Sequence, residues 1–247
     1  MPASEVHNID CLELMRTLPN KCFQLAIADP PYRDENAPFQ QMRQASASRD
    51  VFKAGKPSQE FFDELNRISE NQIIWGANNF GFEYRGFVAW DKMVRGSDRY
   101  SQVEIASLSE GLATVSTLVQ ISTYQTEGKV HPTQKPVALY AWLLQHYAKP
   151  GDRIFDPMMG SQSSRIAAYK LGFDYVGCEL DKEYFVKGCE CFDRECHGIT
   201  ISKNGQRYQQ TSLFAPNPDT VSDHQPNTVS DHQPDSVSAS RPNSDIR

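Results

Sequence analysis

The order of apolar and polar positions along the chain predicts alternating strands and helices. Short apolar runs rich in branched and aromatic residues predict strands at residues 23–28, 71–76, 86–90, 103–108, 153–155 and 175–179. Apolar positions recur at helical spacing between these runs and predict helices at residues 11–18, 58–70, 136–149, 163–171 and 181–196. This alternation over residues 10–197 predicts an α/β fold with a doubly wound, mostly parallel sheet.

Three other stretches lack such a pattern. Residues 33–57 and 109–130 are polar, and loops of that length inside a compact domain usually serve a function. Residues 219–242 hold three copies of an eight-residue polar unit, the last one drifted, and this composition predicts disorder. We therefore predict one domain over residues 1–214, with inserted loops at 33–57 and 109–130, and a disordered tail over 215–247.

Composition bounds the class of protein. The 247 residues suffice for one large α/β domain. The sequence has no run of the roughly 20 apolar residues that span a bilayer, so no membrane partner is predicted. The first eight residues do not resemble a secretory signal, so we expect a cytoplasmic protein with reduced cysteines. No metal site is predicted, because no common zinc spacing is found in the group Cys189, Cys191, Cys196 and His197.

The formal net charge of −6 is unevenly distributed. Residues 215–247 hold −3 of it, whereas residues 39–57 and 84–100 each carry four basic residues against one and two aspartates. Local positive loops on a mildly acidic body suit a protein that binds phosphates at a few places. Solvated surface loops are the alternative interpretation.

The tetrapeptide Asp29-Pro30-Pro31-Tyr32 directly follows the first predicted strand. Ligands of open α/β folds bind where strands leave the sheet. The two prolines lack N–H groups and have a fixed φ, so they form a stiff turn. Asp29 and the Pro30 carbonyl oxygen can each accept one hydrogen of a flat NH2-bearing group, whose ring can stack on Tyr32. A plain proline-rich turn is the alternative.

A second candidate site lies between the strand at 153–155 and the helix at 163–171. Gly160 permits a close approach of the backbone to a ligand, and the helix start offers free N–H groups to an anion. Glu179 ends the next strand about 20 residues downstream, where Rossmann-type units place the acid that binds ribose. Since the dinucleotide and phosphate-loop patterns are absent, a nucleoside with a carboxylate is favoured.

These motifs resemble those of the S-adenosylmethionine-dependent DNA amino-methyltransferases, whose signature is Asp-Pro-Pro-Tyr. Residues 131–136 match that family's His-Pro-Thr-Gln-Lys-Pro segment fully. Its Asp-Pro-Phe-x-Gly-Ser-Gly-Thr-Thr segment is matched at Asp156, Pro157, Gly160 and Ser161, whereas Gln162 replaces the second glycine. The tetrapeptide precedes the cofactor motif, and this circularly permuted order is similar to that of the family's beta group.

The resemblance implies a Rossmann-like methyltransferase sheet that binds S-adenosylmethionine. It implies a catalytic role for Asp29, Pro30, Pro31 and Tyr32. It implies cofactor binding by Asp10, His131, Thr133, Lys135, Asp156, Pro157, Gly160, Ser161 and Glu179. If position 162 requires a positive φ, Gln162 adds strain there.

The implied reaction is methyl transfer to the N6 amine of an adenine that is flipped out of double-stranded DNA. Members of the family often pair, so a homodimer is compatible with the resemblance. The closest alternative is an N4-cytosine methyltransferase, although that specificity more often has Ser in place of Asp29. A catalytically inactive DNA-binding relative is the other alternative, and Gln162 is its one support.

Overall fold

The structure is a computed structural model that describes residues 1–31, 55–81, 85–94, 101–112, 115–123, 130, 133–202 and 204–209. Met1–Gln210 forms one compact unit. Two predicted site residues, Tyr32 and His131, lie outside the described residues. The same holds for most of the predicted loop at 33–57 and for the predicted tail at 215–247.

Eight strands of the described residues form one sheet. They are β1 (Ser4–His7), β2 (Phe23–Ala28), β3 (Ser69–Trp75), β4 (Gly86–Asp91), β5 (Val103–Leu108), β6 (Thr117–Gln120), β7 (Arg153–Asp156) and β8 (Asp174–Cys178). Their spatial order is β1-β8-β7-β2-β3-β5-β4-β6. Strand β5 is antiparallel to β3 and β4, whereas the other neighbours are parallel. The predicted mostly parallel sheet is therefore confirmed.

Helices cover both faces of this sheet, as the prediction of a doubly wound fold requires. They are α1 (Cys11–Thr17), α2 (Gln59–Ile68), α3 (Val137–Tyr147), α4 (Ser163–Leu171) and α5 (Lys182–His197). Successive residues of a strand point to opposite faces. Leu25 and Ile27 of β2 accordingly pack in the core that α3, α4 and α5 cover, and Ala26 and Ala28 in the core that α1 and α2 cover.

Four short strands are not predicted by the apolar pattern. Strand β1 lies at one edge of the sheet, and β6 lies at the other edge, inside the predicted loop at 109–130. Strands β9 (Ile199–Ile201) and β10 (Arg207–Gln209) form a separate antiparallel hairpin. These segments have only three or four residues, so they carry too few apolar positions to show a period.

Some predicted helix ends need correction. Helix α2 ends at Ile68 because Ser69 and Glu70 already belong to β3. Ser58 occupies the N-cap position of α2 without a capping bond from its side chain. Pro136 is the N-cap of α3 rather than its first helical residue. None of the described helices is long and apolar enough to cross a membrane.

Candidate active site

The carboxyl ends of β2 and β7 lie side by side near the middle of the sheet. The pairs Leu25–Ile154 and Ala26–Phe155 set their parallel register, so Asp29 and Asp156 emerge at the same edge. The chain continues from β7 to β8 on one side and from β2 to β3 on the other, which makes this gap the topological switch point of the sheet. Two motifs that are far apart in the sequence therefore open at one place.

The carboxylate of Asp29 contacts an ammonium group from the other predicted motif. Lys135 Nζ lies 2.5 Å from Asp29 Oδ2 and 3.1 Å from Glu104 Oε2. Lys92 pairs with the second oxygen of Glu104. The Lys135 side chain is 4% exposed, and its Nζ lies 5.0 Å from the centre of the Trp75 ring. Charges of alternating sign thus form a largely buried row, which we call the charge row: Asp29, Lys135, Glu104 and Lys92.

The pKa values of the two carboxyl groups in this row shift in opposite directions. Burial raises the pKa of Asp29, Glu104 raises it further, and Lys135 and Lys92 oppose this without cancelling it. Burial also acts to raise the pKa of Glu104, but Lys135 and Lys92 outweigh burial and lower that pKa. Asp29 is therefore more basic than an ordinary aspartate, and 23% of its side chain remains exposed.

Asp156 holds the turn between β7 and α4. Its Oδ1 accepts from the Met158 N–H at 3.0 Å, and its Oδ2 accepts from the Ser164 hydroxyl at 2.6 Å. Burial raises the pKa of Asp156 to about 7, and the negative charges of Asp29 and Glu179 contribute to this rise. Asp156 therefore stabilises the turn, because its two carboxylate oxygens accept hydrogen bonds from the turn and from α4.

Gly160 and Glu179 meet across the ends of β7 and β8. The Gly160 N–H donates to Glu179 Oε2 at 2.9 Å, and the Asp181 N–H donates to Oε1 at 2.8 Å. A carboxylate oxygen can accept more than one hydrogen bond, so Glu179 can also accept from ribose hydroxyls. Gly160 has a φ of 47°, and apart from its chain neighbours no atom of the described residues lies within 4 Å of the place where a Cβ would stand. The backbone there faces open space, as a ligand-binding turn requires.

Gln162 has the left-handed conformation on which the expected strain depended, with φ 63° and ψ 23°. Its side chain is fully buried and links the turn to α4 and α5. Nε2 donates to the Phe185 carbonyl oxygen at 3.1 Å, and Oε1 accepts from Arg165 at 2.8 Å. A Cβ at Gly188 would lie 2.7 Å from this side chain. Helix α5 therefore makes room for Gln162, and the two hydrogen bonds offset its backbone strain.

Asp10 is the N-cap of α1, and its Oδ1 accepts from the Leu12 and Glu13 N–H groups at 2.8 and 3.3 Å. It follows β1, whose His7 carbonyl oxygen accepts from the Glu179 N–H at 3.1 Å. Asp10 therefore lies at the same edge as Glu179.

The other predicted site residues that the structure describes follow Asp29, lie in the turn after β7 or precede α3. Pro30 is buried and Pro31 is half-buried, directly after Asp29. Ser161 is buried against the Ser163 hydroxyl at 3.1 Å, the Pro157 carbonyl accepts from Cys178 Sγ, and Thr133 is exposed. Lys135, predicted to bind the cofactor, contacts the predicted catalytic carboxylate instead of standing apart from it.

Sequence patterns missed several residues of this site. Glu104 lies in a predicted strand, and Lys92 follows another predicted strand and was counted among the loop cations. Both nevertheless belong to the charge row.

Tyr140 of α3 is buried, and burial together with Asp29 and Asp156 raises its pKa. Leu180 is 67% exposed beside Glu179. The sequence did offer one signal for Glu104, which is an acidic residue within an otherwise largely apolar predicted strand. In the described residues, no group of three His, Cys, Asp or Glu side chains could hold a metal ion.

Sequence comparisons identify related methylases. A family model described as DNA methylase, for N6 and N4 methyltransferases, matches residues 110–187, which include Lys135, Gly160 and Glu179. YubD of Escherichia coli (strain K12), a protein named as a methylase, is 25% identical over 197 residues, or 72% of this chain and 86% of YubD. The DNA adenine methyltransferase YhdJ of the same strain is 29% identical over 99 residues, or 37% of this chain and 34% of YhdJ.

Solved structures share the fold. The M1.HpyAVI–SAM complex is 20% identical with a TM-score of 0.53, over 76% of this chain and 98% of that one. The PvuII DNA methyltransferase, which is cytosine-N4-specific, is 15% identical with a TM-score of 0.54, over 83% and 97%. The chain therefore has the same fold as these solved methyltransferases. In sequence, the chain is similar to DNA methylases, through the family model over residues 110–187 and through YubD.

Proposed function

We propose that this protein transfers a methyl group from S-adenosylmethionine to the N6 amine of adenine in double-stranded DNA. One observation carries the proposal: the Asp29 carboxylate and the Gly160 turn open at the same edge, from adjacent parallel strands. A group bound at the turn and a base held at Asp29 would thus lie next to each other. Positioning two reactants in this way supplies much of the catalysis when the electrophile is already activated.

The residues around the turn fit S-adenosylmethionine. Glu179 can also accept from ribose hydroxyls, and the open space at Gly160 admits a ligand against the backbone. Leu180 offers an exposed apolar side chain directly after Glu179, which suits a flat adenine ring. When bound, the cofactor supplies a methyl group on a sulfonium.

Asp29 and Pro30 would act on the acceptor amine. Its nitrogen is a poor nucleophile because its lone pair is delocalised into the ring. Two hydrogen bonds, to the Asp29 carboxylate and to the Pro30 carbonyl oxygen, favour a pyramidal nitrogen and free that lone pair. The raised pKa of Asp29 makes its carboxylate a stronger acceptor than an ordinary one. Extruding the base costs a few kcal/mol, and stacking on Tyr32 would return about 1–3 kcal/mol.

Two observations support adenine as the acceptor. The tetrapeptide has Asp29 at the position where N4-cytosine enzymes more often have Ser, and YhdJ is named as an adenine methyltransferase. The structural likeness to the PvuII enzyme keeps N4-cytosine as the second candidate, because the fold and the amine chemistry are common to both.

The test uses the full chain with S-adenosylmethionine and unmethylated double-stranded genomic DNA, followed by digestion to nucleosides and mass analysis. We expect N6-methyladenine. N4-methylcytosine in its place would establish the second candidate. Intact cofactor binding by calorimetry without any methylated nucleoside would identify a catalytically inactive relative.

A further inference from the structure

The ammonium group of Lys135 is shared by two carboxylates that come from different strands. Asp29 follows β2, and Glu104 lies on β5, which the sheet order separates from β2 by β3. Lys135 Nζ lies 2.5 Å from Asp29 and 3.1 Å from Glu104. A lysine ammonium has three N–H donors, so it can donate to both carboxylates at once.

Sharing Lys135 leaves Asp29 available to a substrate. A one-to-one ion pair with so deeply buried a cation would neutralise the Asp29 carboxylate. The Glu104 carboxylate compensates part of the positive charge of Lys135, and Lys92 binds the other oxygen of Glu104. Lys135 contacts Oδ2 of Asp29, and within the described part of the chain no hydrogen bond reaches Oδ1. Oδ1 is therefore the Asp29 oxygen that is left to accept from an amine.

We infer that Glu104 is a positioning residue for the proposed methyl transfer. By binding Lys135, it prevents an exclusive ion pair between Lys135 and Asp29 and keeps the Asp29 carboxylate a strong hydrogen-bond acceptor. The inference rests on the proposed function. The alternative is a structural one, in which Glu104 only offsets the burial of Lys135 and has no effect on Asp29.

The charges around Asp29 predict effects of opposite sign. Glu104 raises the pKa of Asp29, whereas Lys135 and Lys92 lower it. Asp156 and Tyr140 also interact electrostatically with Asp29, from the end of β7 and from α3. Removing the charge of Glu104 should therefore lower the pKa of Asp29, and removing the charge of Lys92 should raise it. A merely structural role of the charge row predicts no such pair of shifts.

The direct measurement is a titration of Asp29 by carbon NMR in full-length protein with 13C-labelled aspartate carboxyl groups, assigned with Asp29→Asn. We expect Glu104→Gln to move the midpoint down and Lys92→Gln to move it up, with the larger shift in Glu104→Gln. Glu104→Asp keeps the charge and should stay near the wild-type midpoint. Glu64→Gln is the matched control, since Glu64 is 19% exposed and paired with Arg67, against 20% for Glu104.

The kinetic measurement follows methyl transfer to DNA as a function of pH. In Glu104→Gln we expect kcat to fall about tenfold with little change in KM for S-adenosylmethionine, and the acidic limb of the profile to move down together with the NMR midpoint. Unchanged midpoints in both Glu104→Gln and Lys92→Gln, or a wild-type acidic limb in Glu104→Gln, would overturn the inference. If the wild-type protein transfers no methyl group, the proposed function is refuted, and so is the catalytic part of the inference. The NMR titration is a separate measurement that does not depend on methyl transfer.

Discussion

Lys135 Nζ lies 2.5 Å from Asp29 Oδ2, which joins two motifs that are 106 positions apart in the sequence. Breaking one partner of a buried ion pair is usually costly, because the other charge is left without compensation. Here Lys135 has Glu104 as a second partner. The catalytic carboxylate can therefore be removed without leaving the cation unpaired, which permits a clean functional test.

Asp29→Asn should lower kcat by at least about 100-fold, because the amide cannot serve as a charged acceptor for the amine. The binding constant of S-adenosylhomocysteine, measured by calorimetry, and the melting temperature should change little, since Lys135 stays paired with Glu104. Turnover close to the wild-type value would contradict the assignment of Asp29.

Gly160→Ala should weaken cofactor binding by about tenfold or more, because the new methyl group would occupy the open space in front of the turn. Its left-handed φ should also cost about 1–2 kcal/mol of stability. Calorimetry with S-adenosylhomocysteine and thermal unfolding measure the two effects separately.

Gly172→Ala is the matched control for that variant. Gly172 has a φ of 84° and equally open surroundings, but it lies at the C-cap of α4. It should lose similar stability and keep full affinity. Equal affinity loss in both variants would show that strain, and not ligand contact, explains the effect at Gly160.

Gly188→Ala should destabilise the protein by about 1–3 kcal/mol, because the added Cβ would lie 2.7 Å from the buried Gln162 side chain. Combining it with Gln162→Gly should recover part of this loss, since the clash disappears. Urea unfolding of the two single variants and the double variant measures the coupling. Strictly additive losses would contradict the packing of Gln162 against α5.

Asp156→Asn should stabilise the protein at pH 8 and have little effect at pH 4. The folded pKa of Asp156 is raised to about 7 from its ordinary value of 3.8. Below the lower value both states are protonated, so no penalty arises. As the pH rises from about 4 to 7 the unfolded state releases its proton first, and folding loses up to about 4 kcal/mol.

Melting temperatures of the wild type and Asp156→Asn from pH 4 to pH 8 measure this linkage. The difference should grow as the pH rises. Ser164 also contacts the Tyr175 hydroxyl, at 2.9 Å, so its O–H can turn there when the amide replaces the carboxylate. A difference that is constant with pH would show that folding does not raise the pKa of Asp156.

Local sequence patterns predicted most of the fold and the two ends of the site. A strand or helix with several apolar positions shows its period directly, as the segments that became β2 and α4 do. The edge strands β1 and β6 have four residues each and carry too few apolar positions to be found in this way. The Asp-Pro-Pro-Tyr motif and the glycine turn were likewise visible, because each is a continuous stretch with its own backbone requirements.

The sequence by itself determined the alternation of strands and helices, the stiff turn after Asp29 and the glycine turn near Asp156, since these depend on neighbours along the chain. Only the tertiary structure decided how the charges combine. In the sequence, Lys92 is one cation in a basic stretch and Glu104 is one acid in a strand. The antiparallel pairing of β4 with β5 brings Lys92 beside Glu104, and Lys135 binds the other oxygen of Glu104 from a distant part of the chain. The electrostatic role of a charged residue depends on which groups surround it, and distant parts of the chain supply those groups.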